Sequence, residues 1–128
     1  MPKRDIRMSD AEIAAFLGRH SGCVFGYNDG GPAPAVRAGT YTLAGGVLRV
    51  TAVPAGTAET AGAAVRALRA DPRVYLLVEQ SPSYYEIGYV GVEGRAGPIG
   101  EAGGRLTFDL TPHRAAGASF AKLRDPGG

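Results

Sequence analysis

The stretch AVRAGTYTLAGGVLRVTAV, residues 35–53, decides the fold of this chain. Two runs, 35–43 and 47–53, carry the valine, threonine and leucine typical of strands, and Ala44-Gly45-Gly46 separates them. Adjacent glycines supply the positive φ angles that a tight hairpin needs, so we predict a β-hairpin here. The apolar run from Cys23 to Tyr27 precedes it and ends in a turn-forming segment. The three strands together predict an antiparallel meander.

More strand patterns follow in the second half of the chain. We predict them at residues 74–79, 84–96, 105–110 and 118–123, with a turn region over 97–104. The first is almost continuously apolar, which is typical of a strand covered on both faces. Glycines at 88 and 91 mark a bulge or a close approach of another group. About six strands with glycine turns favour a closed or partly closed barrel.

Two helices complete the pattern. Ser9 and Glu12 have the spacing of a capping box, and an apolar face follows at positions 13, 16 and 17. A second helix is predicted over 57–70 and ends at Asp71-Pro72, because a residue before proline avoids the α region.

Composition limits the class of protein. The 128 residues carry 14 basic and 12 acidic side chains, a net charge of +2. The length predicts one domain, residues 1–128, with a loosely held arm over 1–7 and a tail over 124–128. The small charge argues against nucleic acid, and the apolar runs are too short for a membrane span. A single cysteine excludes an internal disulfide, and with no signal-peptide pattern we expect a cytoplasmic protein.

Few side chains suggest catalysis, and no catalytic residue is assigned. Cys23 is expected to be a small buried hydrophobe, His20 to flank a helix end and His113 to sit in a polar turn. No spacing of histidines or cysteines predicts a metal site.

Arginines and tyrosines leave two interpretations open. Arg66, Arg69 and Arg73 are either a solvated face at a helix C-terminus or an anion clamp. Arg37, in the middle of a strand, either faces outward or pairs with an anion. The tyrosines at 84, 85 and 89, predicted on one strand, either pack in the core or stack on a flat ring system.

The order of these elements resembles a known superfamily. The resemblance rests on four stretches: MSDAEIAAFL (8–17), LRADPRV (68–74), SYYEI (83–87) and GVEGRA (91–96). Together they resemble the pyridoxamine 5'-phosphate oxidase-like superfamily of flavin-binding split β-barrels. The resemblance implies a mainly β fold with two helices, a six-stranded antiparallel split barrel. It also implies a homodimer with cofactor sites at the subunit interface, and FMN or a deazaflavin coenzyme as cofactor.

The resemblance also assigns site residues. Pro34-Ala35-Val36-Arg37 matches the family's Pro-x-x-Arg, which implies that Arg37 contacts the cofactor phosphate. Thr51 matches a threonine near the cofactor at the end of the third strand. Relatives usually carry Ser-x-Lys before the Asp-Pro pair, and here those places are Gly62 and Ala64. The expected phosphate lysine is therefore missing.

Other groups could replace that lysine. Thr57 and Thr60, with the backbone N–H groups that open the second helix, are candidates for the phosphate. Arg66 is another if it turns inward. Tyr84 and Tyr85 would line the ring pocket.

Two functions follow from these residues. The first is a flavin- or deazaflavin-dependent oxidoreductase that transfers hydride to an unknown small molecule, with the cofactor supplying the chemistry. The alternative is a cofactor-free split-barrel protein that binds another small ligand or acts as a dimeric accessory protein.

Overall fold

The computed structural model describes residues 5–54 and 58–124, with the backbone alone for 58–60. It contains two α-helices and six strands: α1 (Asp10–Arg19), β1 (Gly22–Tyr27), β2 (Ala35–Ala44), β3 (Val47–Ala52), α2 (Ala58–Ala70), β4 (Arg73–Gln80), β5 (Gly88–Ala102) and β6 (Arg105–Ser119). Short 3₁₀ helices span Tyr84–Glu86 and Phe120–Leu123.

The six strands form a closed barrel in the order β1-β2-β3-β6-β5-β4. Every neighbouring pair is antiparallel, so the predicted fold class and the β1-β2-β3 meander are confirmed. Gly45 and Gly46 have φ of +59° and +85° in the predicted hairpin turn. These angles favour glycine because it has no Cβ.

The barrel interior is the hydrophobic core. Phe25, Val50, Leu76 and Leu106 are each at most 1% exposed and come from four different strands. The predicted burial of the fourth strand on both faces is wrong. In β4 buried residues alternate with more accessible ones, and Tyr75 on its outer face is 50% exposed.

Helix α1 begins with the predicted capping box. The Glu12 backbone N–H donates to Ser9 Oγ at 3.2 Å, and the Ser9 N–H donates to Glu12 Oε1 at 3.0 Å. Lys122 also donates to Glu12 Oε1, at 2.7 Å. The preceding segment is tied to β6, because Ile6 accepts a backbone hydrogen bond from Ser119. This part of the predicted arm is therefore held in place.

The second half of the chain differs from prediction. Residues 84–86 form a 3₁₀ helix instead of opening a strand, and β5 runs through the predicted turn region to Ala102. Only Gly103 and Gly104 form the turn, with φ of +59° and +77°. No separate strand covers 118–123, since β6 continues to Ser119 and a 3₁₀ helix follows. His113 accordingly lies in a strand and not in a turn.

The glycines of β5 make close approaches, as predicted. A Cβ at Gly91 would collide with the Tyr75 ring, and one at Gly88 would lie 3.0 Å from the Phe16 ring. The bulges lie elsewhere, between Glu93 and Gly94 and between Ala96 and Ile99. At the first of them β4 pairs with β5 on the other side, whereas at the second only β6 pairs with it.

Candidate functional site

Arg37 lies in the barrel wall with its side chain on the inner face. It pairs across β1 and β2 with Phe25, which is 1% exposed. Side chains directly opposite each other in an antiparallel pair share a face. Tyr41, an even number of residues along β2, is also buried. Of the two alternatives left open for Arg37, the outward position is therefore wrong, and pairing with an anion remains a prediction.

The guanidinium of Arg37 is only partly satisfied. Its Nη2 donates to the carbonyl oxygen of Val53 at 3.0 Å. Its Nη1 is enclosed and has no hydrogen-bond partner within residues 5–54 and 58–124. Buried polar groups nearly always have a partner, and a buried charge without a counter-ion is costly. Arg37 thus offers a spare donor and a positive charge beside the point where the chain leaves β3 toward α2.

Thr51 lies on the other side of the same wall. Val50 and Ala52 are each 1% exposed and point into the barrel, so Thr51 between them points out. The side chains of Arg37 and Thr51 therefore leave the wall on opposite faces. The structure does not join them on one surface.

The outer face around Thr51 is polar. Thr40 and Thr107 lie opposite it on the two neighbouring strands, which makes a row of three hydroxyls. Thr51 and Thr107 line a cavity of 460 Å³. Arg49 and Asp109 line it too and form an ion pair with Nε 3.4 Å from Oδ1. This surface can hydrogen-bond a polyhydroxylated chain such as the ribityl of a flavin.

Arg66 and Thr60, two of the predicted substitutes for the missing lysine, lie in helix α2. Arg66 is exposed, and its Nη1 is 3.5 Å from the place where a Cβ on Gly62 would stand. A Cβ at Gly62 would be in ordinary van der Waals contact with this guanidinium. Thr57 lies outside the described residues, and Thr60 lies in α2 without a described side chain.

Ala64 stands where the family resemblance predicts the phosphate lysine. It is 3% exposed and belongs to the hydrophobic core. A lysine here would have to extend its ammonium out of the core to reach water or a phosphate. The departure from the family pattern therefore involves packing as well as charge.

The arginines at the end of α2 do not form a clamp. Arg69 Nη2 donates to the carbonyl oxygen of Ile99 at 3.3 Å, whereas Arg73 pairs with Asp71 at 2.7 Å. Arg66 lies over Gly62 instead. The guanidinium groups of these three arginines therefore have three different neighbours instead of one shared site.

The predicted ring-pocket tyrosines are far from Arg37 along the barrel. Arg37 of β2 and Leu76 of β4 both pair with Phe25 of β1, so they lie at the same level of the barrel. From Leu76 the strand runs four more residues to Gln80, about 13 Å. Tyr84 and Tyr85 follow only beyond that end. One chain therefore does not bring these tyrosines to Arg37.

Tyr84 and Tyr85 form an exposed aromatic surface. They are 59% and 40% exposed, and their ring centroids are 5.1 Å apart in an edge-to-face arrangement. Phe120 packs edge-on against Tyr84 at 5.4 Å, and the Arg124 guanidinium lies 5.0 Å from the Tyr85 ring. Exposed tyrosines and arginines are typical of interface cores.

Cys23 is not placed for catalysis. It is 8% exposed, and burial raises the pKa of its thiol to about 11. Nearby Tyr41 has a pKa raised to about 12, mainly by burial, and its hydroxyl donates to the Leu17 carbonyl at 2.7 Å. Cys23 therefore acts as a core residue, as predicted.

Two negative findings apply to the described part of the chain. It contains no group of three or more histidine, cysteine or acidic side chains that could hold a metal ion. None of its helices has the length and hydropathy to cross a bilayer.

Comparison with known proteins identifies the fold. No family model and no curated protein matches this sequence. Solved structures do match. A conserved hypothetical protein, Rv2991, from Mycobacterium tuberculosis has 23% sequence identity and a TM-score of 0.70, over 100% of this chain and 98% of that one.

Two further structures carry names that indicate a cofactor or an activity. One, an FAD-binding protein from Mesorhizobium loti, has 17% identity and a TM-score of 0.66 over 87% of this chain and 94% of its own. The other, a candidate pyridoxamine 5'-phosphate oxidase from Corynebacterium glutamicum, has 9% identity and a TM-score of 0.65 over 91% and 93%. The chain thus has the split-barrel fold of the pyridoxamine 5'-phosphate oxidase-like, flavin-binding proteins.

Proposed function

We propose that the protein binds FMN or a deazaflavin coenzyme and is an oxidoreductase that reduces or oxidises a small molecule. The observation that carries the proposal is the enclosed Nη1 of Arg37, which has no partner in the described chain. A phosphate oxygen would satisfy this donor and neutralise the charge. The names of the structural neighbours support a cofactor of the flavin class. When bound, the cofactor supplies the hydride chemistry.

The proposed roles follow the faces of the barrel. Arg37 binds the phosphate, and Arg66 adds a second positive charge from α2. Thr51 faces the other side of the barrel wall, so the row of hydroxyls around it is not assigned to the site that holds Arg37. The poverty of acid and base side chains is consistent with this function, because the cofactor and not the protein carries the electrons.

A homodimer is part of the proposal. Within one chain about 13 Å of strand separate the level of Arg37 from the end of β4, and Tyr84 and Tyr85 follow that end without contacting Arg37. A second copy can bring them there, which explains why two tyrosines remain exposed on a 3₁₀ helix. We therefore propose that each site takes Arg37 from one subunit and Tyr84 and Tyr85 from the other.

Cofactor titration tests the proposal. Absorbance of the purified protein, followed by titration with FMN and with a deazaflavin coenzyme, should show micromolar or tighter binding of one of them. Arg37→Ala should weaken that binding roughly tenfold or more, because a charge-assisted hydrogen bond to phosphate is lost. Arg105→Ala, which removes an exposed arginine of β6, is the matched control and should bind like the wild type.

The burial of Ala64 favours one alternative, a cofactor-free split-barrel protein. At 3% exposure this position cannot supply the charge that relatives place there. A colourless protein that binds neither coenzyme would support this second function and overturn the first.

A further inference from the structure

A groove of 670 Å³ runs over the outer face of β1, β4 and β5. Neither Arg37 nor Thr51 lines it. Its floor is apolar: Val24, Val36 and Tyr75 are 43%, 67% and 50% exposed there. A contiguous exposed apolar surface of this kind often marks a binding site on a soluble protein.

Tyr75 gives the groove an aromatic wall. A Cβ at Gly91 on the neighbouring strand would collide with the Tyr75 hydroxyl and ring, so the glycine makes room for the ring to lie over β5. Leu77, opposite Gly91 in the register, continues the apolar surface. An apolar or aromatic body can pack against these two side chains.

One end of the groove is basic. Arg73 and Arg95 lie directly opposite each other in the β4–β5 pair and both line the groove. Like charges in this arrangement are destabilising unless an anion lies between them. Within the described chain Arg95 forms no ion pair.

Arg73 is held in position by its neighbours. Asp71 accepts from its Nε at 2.9 Å and its Nη2 at 2.7 Å, and Asn28 donates to the same carboxylate at 3.0 Å. These hydrogen bonds, that from Arg73 first, hold the pKa of Asp71 well below its usual range. The Asp71 carboxylate binds Nε and Nη2 of the guanidinium, and the remaining N–H donors of Arg73 are available to a ligand.

A bulge adds His113 to the same end. Glu93 pairs with Arg114 while Gly94 pairs with Pro112, so His113 is the extra residue of β6. A bulge re-aims a side chain and is common beside binding sites. His113 lines the groove, where its imidazole can donate a hydrogen bond.

Two acidic groups lie near this basic end. Asp71 is paired with Arg73. Glu93 lies two residues from Arg95 on the same face of β5, and within the described chain it forms no ion pair with Arg95. Arg95 therefore lies at the mouth of an apolar groove with its guanidinium outside any ion pair of the described chain.

We propose that this groove binds a small organic anion with an apolar or aromatic body, of the class of the aromatic carboxylates. Arg73, Arg95 and His113 bind the anionic group, and the body lies on the floor between Tyr75, Leu77 and Val24. This site does not depend on the proposed cofactor site.

Two fluorescent probes test the proposal. The anion 8-anilinonaphthalene-1-sulfonate carries an aromatic body and a sulfonate, and N-phenyl-1-naphthylamine is the same body without the charge. The anion should bind the native protein more tightly than the neutral probe. Arg95→Gln should weaken anion binding about tenfold and leave the neutral probe unchanged. Arg105→Gln, which changes an exposed arginine outside the groove, should alter neither.

Four results would overturn the proposal. Equal affinity for the two probes would show that the basic end does not bind the anion. An equal effect of Arg105→Gln would show that general charge and not this groove is responsible. Displacement of the anion by FMN, together with loss of FMN binding in Arg95→Gln, would make the groove the cofactor site. Absence of probe binding in a dimer that Leu77→Asp dissociates would show that a second copy covers the groove.

Discussion

At the scale of single residues, Arg37 combines an inward position with incomplete hydrogen bonding. A side chain in this state costs free energy in the ligand-free protein, because its Nη1 is enclosed without a described partner. Such a group persists where function requires it. A variant without this guanidinium should therefore bind less cofactor without being less stable.

Arg37→Met is the variant that shows this signature. It keeps the apolar stem, removes the unpaired donor and loses the bond to Val53. We expect the free energy of unfolding without cofactor to change by less than about 1 kcal/mol, since the lost bond and the removed unpaired donor offset each other. The stabilisation that added flavin gives to the wild type should largely disappear. Urea unfolding with and without cofactor measures both, and a large loss of stability without cofactor would contradict the assignment.

Gly94 is required by the bulge of β6. A Cβ there would collide with the carbonyl oxygen of Thr111 and lie 2.9 Å from its carbonyl carbon, and backbone atoms cannot rotate aside. Gly94→Ala should therefore lower the free energy of unfolding by about 3 kcal/mol. Gly100→Ala is the control on the same strand, because its Cβ would lie 3.8 Å from Thr107 Oγ1 and should change stability by less than about 1 kcal/mol. Equal stability of the two variants in urea would disprove this reasoning.

At the scale of elements, one carboxylate links α1 to the C-terminal 3₁₀ helix, since Glu12 accepts a hydrogen bond from Lys122. The hydrogen bond from Lys122, followed by that from the Ser9 backbone, lowers the pKa of Glu12 from 4.5 to about 2. A carboxylate with a lowered pKa in the folded state stabilises the fold above its unfolded pKa. That contribution is lost as pH falls through the folded pKa.

The acid-dependent part of this stability lies between about pH 4.5 and 2. Glu12→Gln keeps the geometry of the capping box and removes the charge. The melting temperature of the wild type should exceed that of Glu12→Gln at pH 6, and the difference should close as pH falls toward 2. Both carboxylate and lysine are partly exposed, so added salt should shrink the difference. A gap that is unchanged at pH 2 would show that Glu12 does not act through its charge.

The sequence predicted an element correctly where a motif of a few neighbouring residues determines the conformation. It failed where a glycine is compatible both with a turn and with an interruption inside a strand. The capping box and the Gly45-Gly46 hairpin were visible because each requires particular residues within a few positions. Residues 97–104 suggested a turn, whereas Gly97 and Pro98 stand at a register shift inside β5. Pairing with distant strands decides between these outcomes, and a single sequence does not show that pairing.

The candidate site was predicted only in part, because its residues come together through strand pairing that a single sequence does not show. Arg37 was found by its spacing from a proline in a family pattern, but its inward direction depends on the register with β1. Arg95 and His113 were missed as a pair, because the one-residue bulge in β6 that brings them to one groove depends on strand pairing. Pro112 within an alternating strand pattern was the available signal, since proline inside a sheet favours edges and bulges.

At the scale of the whole molecule, the proposed dimer can be tested by mixing two defective chains. One chain carries Arg37→Ala, and the other carries Tyr84→Ala and Tyr85→Ala; each alone should bind cofactor weakly. If the tyrosines serve the partner's site, a dual-tagged mixed dimer has one intact site and one doubly defective site. It should bind one cofactor per dimer with wild-type affinity. If the tyrosines serve their own chain, no intact site forms and the mixed dimer stays weak. If they serve neither site, the chain with Tyr84→Ala and Tyr85→Ala binds cofactor like the wild type on its own, which overturns their assignment. Tyr89→Ala, at an exposed tyrosine of β5, replaces the double variant in the control pairing. That pairing keeps one intact site whichever subunit the tyrosines serve, so its affinity calibrates the measurement.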